Sequence, residues 1–234
     1  MFFEIARAIK EVQPSYVLLE NVKGLFSHDG GQTFGTIIQT LDELGFFTEW
    51  GLFNSKYWGV PQNRERVYIL ATRKDKFKEP LLFDLVKQQT EVTTRLIDVL
   101  EDEVDEKYYL SEEKTRKLTL DHDLSGKLNF YNYNETDKVY SVNKVGPTLN
   151  TMQGGNRQPK IAVREATKQS YAIAEQGVRI RKLTEKECWR LQSFTDEQFY
   201  KAKDSGVSNS QLYKQSGNSV TVNVVDAIVK QLKE

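Results

Sequence analysis

Two hydrophobic periods alternate along the first eighty residues, and no other feature constrains the fold as tightly. Phe2, Ile5, Ala8, Ile9 and Val12 recur at helical spacing until Pro14 ends the run. Tyr16-Val17-Leu18-Leu19 is then a short continuous apolar stretch, the pattern of a strand covered on both faces. Phe34, Ile37, Ile38, Leu41 and Leu44 restore the helical period, and Gly45 supplies a C-cap. Strand-like stretches follow at 46–53 and 67–71. Helices alternating with buried strands predict the α/β class, with a parallel or mixed sheet carrying helices on its faces.

Beyond about Lys74 the signal changes. Up to Lys182 the chain is polar and rich in Asn, Thr, Gln and Gly, with short apolar clusters such as Tyr108-Tyr109-Leu110. That predicts a second, smaller, irregular domain. Val220–Leu232 is apolar on nearly every face and reads as a buried closing helix with Ser219 at its N-cap. At 234 residues the chain can bury a sizeable core unaided. Its single cysteine, Cys188, excludes an internal disulfide or a multi-cysteine zinc site, and no metal is expected. No apolar run reaches the roughly 18 residues of a membrane span, so the expectation is a soluble, cytoplasmic chain with no membrane partner.

Lys+Arg and Asp+Glu number 33 each, yet the charges are segregated. Residues 98–113 carry eight acids against Lys107, a net of −7, while 138–192 carry eleven Lys or Arg against four Glu, a net of +7. A basic segment of that size suits a phosphate backbone; two faces that neutralise each other account for it at least as well.

Four segments carry candidate chemistry. Glu20-Asn21-Val22 lies at the carboxyl end of the first strand, where ligands of open α/β sheets bind. Gln62, Arg64 and Arg66 fall on one side of an extended segment, an amide and two guanidiniums suited to phosphate or carbonyl oxygens. Thr184 and Glu187 have capping-box spacing at the head of an amphipathic helix. Gln215-Ser216-Gly217-Asn218-Ser219-Val220 reads as a glycine turn feeding the last helix, whose N-terminus offers free N–H groups. Each segment taken alone is equally well a polar strand end, an exposed edge or a helix start.

Their order and spacing resemble the C-terminal part of the cytosine-C5 DNA methyltransferases. The family's Glu-Asn-Val is followed by Asn-x-x-x-(Tyr/Trp/Phe)-Gly-Val-Pro-Gln-x-Arg-x-Arg, and this chain has Glu20–Val22 and then Asn54–Arg66. A variable region precedes Arg-x-Leu-Thr-x-x-Glu-x-x-Arg-Leu-Gln-x-Phe and Gln-x-Gly-Asn-Ser-Val, matched by Arg181–Phe194 and Gln215–Val220. The resemblance spans essentially the whole chain and corresponds to the family's motifs VI to X. It implies a partial Rossmann-like methyltransferase sheet with helices over 1–74, a smaller irregular target-recognition domain over 75–210, and a closing helix in 211–234 that returns to the catalytic domain.

The resemblance also implies chemistry. Family members flip a cytosine out of double-stranded DNA, a cysteine thiolate adds to C6, and C5 takes a methyl group from S-adenosyl-L-methionine. Glu20 would hold the cytosine N3/N4 edge, with Asn21 beside it. Arg64 and Arg66 would hold O2 and a nearby phosphate, and Gln62 would support that loop. Asn54, Asn218, Ser219 and Val220 would line the cofactor site. Thr148-Leu149, Gly154-Gly155 and Arg157 would belong to the recognition loops entering the major groove. Thr195 replaces the family's usual proline, with only local stiffness at stake.

The departures matter as much. The family's glycine-rich cofactor loop, ribose-binding acid and Pro-Cys nucleophile segment (motifs I to IV) are absent, so the cofactor pocket is expected to be incomplete and no nucleophile is assigned. Cys188 sits inside the Thr184–Phe194 motif at a position the family leaves variable, and reads as a core residue. Three expectations follow: the C-terminal piece of a single-chain enzyme, one subunit of a split enzyme whose complementary N-terminal chain carries the cysteine, or a stand-alone DNA-binding module. The chain alone is expected to be inactive, and the split-enzyme reading predicts an unpaired edge on the Tyr16–Leu19 strand.

Overall fold

The alternating periods become α1 (Phe2–Val12), β1 (Tyr16–Val22), α2 (Gln32–Glu43), β2 (Phe46–Asn54) and β3 (Glu65–Arg73) in the computed structural model, which describes residues 2–151, 156–164 and 177–232. A short helix α3 (Leu82–Lys87) follows. These elements form one compact unit, 1–58 and 64–91 joined by 224–234, and the remainder, 59–63 and 92–223, forms a second.

In the first unit the strand order is β1-β3-β2, and both pairings with β3 are antiparallel. β1 and β2 run in the same direction but do not pair; where a parallel or mixed sheet was expected, both pairs of this unit's described strands are antiparallel. The physical reason lies in connection length. The ten residues between Asn54 and Glu65 are too few for a parallel crossover, which needs a dozen or more, so β3 returns antiparallel. Alternate side chains serve the two faces. Val17, Val67, Ile69 and Ala71 pack with Ile9 of α1 and with Ile37 and Leu41 of α2. Tyr68, Leu70 and Phe53 pack with Leu82 and Leu85 of α3 and with Val224 and Ile228. β1 has β3 as its one neighbour among the described strands.

The second unit holds two single-turn helices, α4 (Glu112–Thr115) and α5 (Asn134–Asp137), and a five-stranded sheet. Its strands are β4 (Thr119–Leu120), β5 (Gly126–Lys127), β6 (Lys138–Ser141), β7 (Lys160–Arg164) and β8 (Val178–Lys182), in that spatial order. β6 and β7 are parallel and the other pairs antiparallel. Strands of two to five residues are too short to display alternation, which is why the sequence reads as irregular there. Helices α6 (Glu185–Arg190), α7 (Asp196–Asp204), α8 (Asn209–Asn218) and α9 (Val222–Val229) complete the chain. Among the described residues, no helix is long and apolar enough to cross a membrane.

The unit boundaries differ from the expected 74/75 and 210/211. Residues 75–91 stay with the first unit because Leu82 and Leu85 are buried beneath its sheet. Residues 211–223 stay with the second because Leu212 and Tyr213 join its cores. The closing helix is shorter and less buried than its composition suggests: Val224 and Ile228 are buried, while Val229 is exposed.

Two readings of the Gln215–Val220 segment also change. Ser219 caps the C-terminus of α8 rather than the N-terminus of α9: its N–H donates to the Gln215 carbonyl and its hydroxyl to the Ser216 carbonyl. Gly217 is helical, not a turn residue. A Cβ there would lie 1.9 Å from the Asn150 carbonyl oxygen, so glycine is required by close backbone approach. Gly217→Ala is therefore expected to destabilise the second unit by about 1–3 kcal/mol through overpacking. Gly35→Ala, in α2 with nothing within 4 Å of the added carbon, should stabilise by roughly 0.5–1 kcal/mol. Urea unfolding of both variants checks the pair.

Candidate functional site

In the first unit the register of the sheet assembles an ionic cluster. Glu20 stands opposite Tyr68, and Val22 opposite Arg66, so Glu20 and Arg66 are diagonal neighbours on one face. Arg66 Nε donates to Glu20 Oε1 at 2.9 Å, with both side chains partly buried. Glu65, on the opposite face, pairs with Lys23 at 3.0 Å. The side chain of Arg64, 3% exposed, lies in the same field. Burial and the neighbouring Arg66 push its guanidinium down to about 10, against the pull of Glu20, so it stays charged at neutral pH. Tyr68, which the sequence did not single out, is buried beside this cluster, and burial together with Glu20 raises its phenol well above the ordinary range.

Asn54 closes the mouth of the β2–β3 pair. Its side-chain oxygen accepts from the Arg64 N–H at 3.1 Å and from the Lys56 N–H at 3.3 Å, while the Ser55 N–H donates to the Arg64 carbonyl. The Arg64 backbone is thus pinned at both its N–H and its carbonyl, which fixes where the side chain starts. Asn21 is exposed, and its side chain accepts from the Val22 N–H.

Gln62 departs from the period-two expectation. β3 begins only at Glu65, and residues 59–63 belong to the second unit. There Gln62 is fully buried. Its Nε2 donates to the Leu191 carbonyl at 2.8 Å, and its Oε1 accepts from the Leu149 N–H at 3.0 Å. The Thr148 hydroxyl donates to the Asn63 carbonyl at 2.5 Å, and Leu149 lies in the core with Leu96, Ile161 and Leu191. Thr148 and Leu149 therefore clamp the segment that follows Gly59. Leu149, 1% exposed, is too deeply buried to contact a ligand. Arg157 and Asn218 are exposed, Ser219 and Val220 half-buried. Gly154 and Gly155 lie outside the described residues.

The capping box is formed as the spacing predicts, and it does more than start a helix. Glu187 accepts from the Thr184 N–H while its own N–H donates to the Thr184 hydroxyl. Its carboxylate also receives both terminal nitrogens of Arg181, each at 2.8 Å, and the Glu101 N–H at 2.9 Å. Arg190 is held by Asp196, and Thr195 opens α7 with a second capping box to Gln198. Cys188 is completely buried on α6, and burial pushes its thiol well up, so it carries no thiolate at neutral pH.

The segregated charges meet within the second unit. Glu101 pairs with Lys186 at 2.6 Å, and Glu106 pairs with Arg179. Part of the basic segment is thereby neutralised by the acidic one, the simpler of the two sequence readings.

The model of the C-5 cytosine-specific DNA methylase family matches residues 1–234. The orphan methyltransferase M.SPBetaI of Bacillus phage SPbeta is 38% identical over 304 residues, covering 99% of this chain and 69% of that relative. The type II methyltransferase M.SsoII of Shigella sonnei is 38% identical over 238 residues, covering 99% and 56%. Among solved structures, that of the S. pombe Dnmt2 methyltransferase matches with a TM-score of 0.68 and 20% identity, over 97% of this chain and 70% of that one, a likeness of fold.

Replacing Gln62 by Leu would leave the Leu191 carbonyl and the Leu149 N–H unpaired in the core. The expected cost is about 2–6 kcal/mol, since each of the two buried unsatisfied groups costs roughly 1–3. A lowered urea midpoint, with the Glu20–Arg66 cluster intact by spectroscopy of the first unit's tryptophans, Trp50 and Trp58, checks it.

Proposed function

Because the chain belongs to the C-5 cytosine-specific DNA methylase family, we propose that it forms the base-holding part of a DNA (cytosine-5-)-methyltransferase that acts on a flipped cytosine in double-stranded DNA. The observation that carries this reading is the Glu20–Arg66 pair at 2.9 Å with buried Arg64 in the same field. A carboxyl group set among two guanidiniums suits a ring with a donor–acceptor edge at N3/N4 and a carbonyl at O2. Glu20 places a hydrogen-bonding group or proton at N3/N4, where charge must be offset when C6 is attacked. Arg64 and Arg66 take the O2 oxygen and a neighbouring phosphate, for which the guanidinium fork is matched. Asn54 keeps the Arg64 backbone fixed, so little is lost to ordering on binding.

S-adenosyl-L-methionine supplies the methyl group in this reading. The residues here that fit its side of the reaction are exposed Asn218 and half-buried Val220. The Asn54 side-chain oxygen and the Ser219 hydroxyl take part in internal hydrogen bonds, which hold both side chains in place. The nucleophile must come from another segment or chain, because the one cysteine in the sequence, Cys188, is buried and its thiol is pushed up. β1, with a single neighbour among the described strands, offers an edge on which a complementary chain can pair. The type II and orphan methyltransferase names of the relatives support a role in DNA modification, within a restriction–modification system or apart from one.

Incubation of the purified chain with duplex DNA and methyl-labelled S-adenosyl-L-methionine is expected to give no incorporation. Incorporation that disappears in Cys188→Ser would overturn the assignment of the nucleophile. In enzyme reconstituted with a chain that supplies the thiolate, Glu20→Gln should slow transfer by about 10²-fold or more with little change in duplex affinity. Lost affinity with normal transfer from the bound complex would refute the role given to Glu20.

A further inference from the structure

Lys160 and Lys182 stand directly opposite each other in the β7–β8 ladder. Like charges facing across a strand pair are destabilising, and Lys160 is moreover only 1% exposed. The arrangement persists because both ammonium groups converge on one residue. Lys160 Nζ donates to the Asn156 carbonyl at 2.7 Å and to the Gln158 carbonyl at 3.3 Å, while Lys182 Nζ donates to the Asn156 side-chain oxygen at 3.1 Å. Asn156 has φ 58, in the left-handed region that asparagine enters more readily than most non-glycine residues. The Lys160 amine also lies over the Tyr131 ring, 5.2 Å from its centre. Burial, then Lys182 and Lys114, with Asp137 opposing, bring it down to about 8. The next residue, Arg157, is exposed.

A buried and a half-buried ammonium that repel each other, yet grip the main chain and the side chain of one residue, form a device for fixing the direction of the chain at that point. We propose that Lys160 and Lys182 are positioning residues for DNA binding, which hold Asn156 and so set the direction in which Arg157 is presented to a duplex. This rests on the reading that the chain meets DNA. Neither lysine touches the nucleic acid in this proposal; Arg157 does.

The test is a double-mutant cycle read by fluorescence anisotropy with a short fluorescein-labelled duplex of mixed sequence. R157A, K160M and K182M are each expected to weaken binding about tenfold, and the salt slope of R157A to fall by about one. The R157A/K160M and R157A/K182M doubles are expected to bind no more weakly than R157A alone, because residues that act through a shared element are not additive. The slopes of K160M and K182M should fall with that of R157A. A merely structural role would lower the melting temperature and leave affinity and slope where they were, which overturns the proposal. Losses that multiply in the doubles also overturn it, since each lysine would then act on DNA by itself. If K160M does not fold by circular dichroism, K182M, whose side chain is half-buried, carries the comparison. Wild-type binding with a flat cycle defeats this proposal alone; a wild-type chain that binds no duplex defeats the DNA reading and this proposal with it.

Discussion

The register of β3 is the constraint on which the candidate site depends. Its seven pairings with β1 and nine with β2 hold it at the middle of the sheet, and its residues from Val67 to Thr72 are buried. A slip of one residue would exchange Val67, Ile69 and Ala71 with Tyr68 and Leu70 between two differently shaped cores, so the register has no near competitor. That same register sets Arg66 diagonal to Glu20 and places Tyr68 beneath them. The ion pair is a consequence of hydrophobic packing. In isolation a partly exposed pair would contribute little; here its geometry is imposed by the strands.

The second unit is organised by a different interaction. Arg181 and Glu187 form a bidentate pair with side chains 3% and 0% exposed, and Glu187 also accepts from two backbone N–H groups. A buried charge pair tolerates its desolvation only when the remaining hydrogen-bonding capacity is filled. Glu187 meets that condition by joining β8, the start of α6 and the segment at Glu101. Gln62 performs a related task with a neutral amide, linking Leu149 and Leu191. Exposed Thr148 and buried Leu149 both bond to the same segment. The candidate residues thus divide into the charged cluster of Glu20, Arg64 and Arg66 and those, such as Gln62, that hold the chain in position.

Much of this was legible in advance. The helices read at 2–12 and 34–44 and the strands read at 46–53 and 67–71 follow from period and punctuation, and lie within a few residues of those observed. The Thr184–Glu187 capping box follows from spacing, and the core nature of Cys188 follows from its place inside a helix. Glu20 was placed at a strand end by the apolar run before it. Other features were illegible for identifiable reasons. Gly217 looks like a turn because glycine has the same letter whether it frees a backbone or lets another backbone approach. The clamp of Lys160 and Lys182 on Asn156 depends on the register of two short strands far apart in sequence. The strands of the second unit are too short for any period to register.

The sequence by itself determined the alternation of helix and strand, the chemical types available at each segment, and the match to the family over residues 1–234, because these depend on local spacing and on residue identity. The tertiary structure alone decided that β3 inserts antiparallel between β1 and β2, that Gln62 and Leu149 face inward, and that the acidic and basic segments partly cancel. Each of these is set by contacts between residues distant along the chain, whose free energy depends on burial and register, and neither quantity is written in any local stretch.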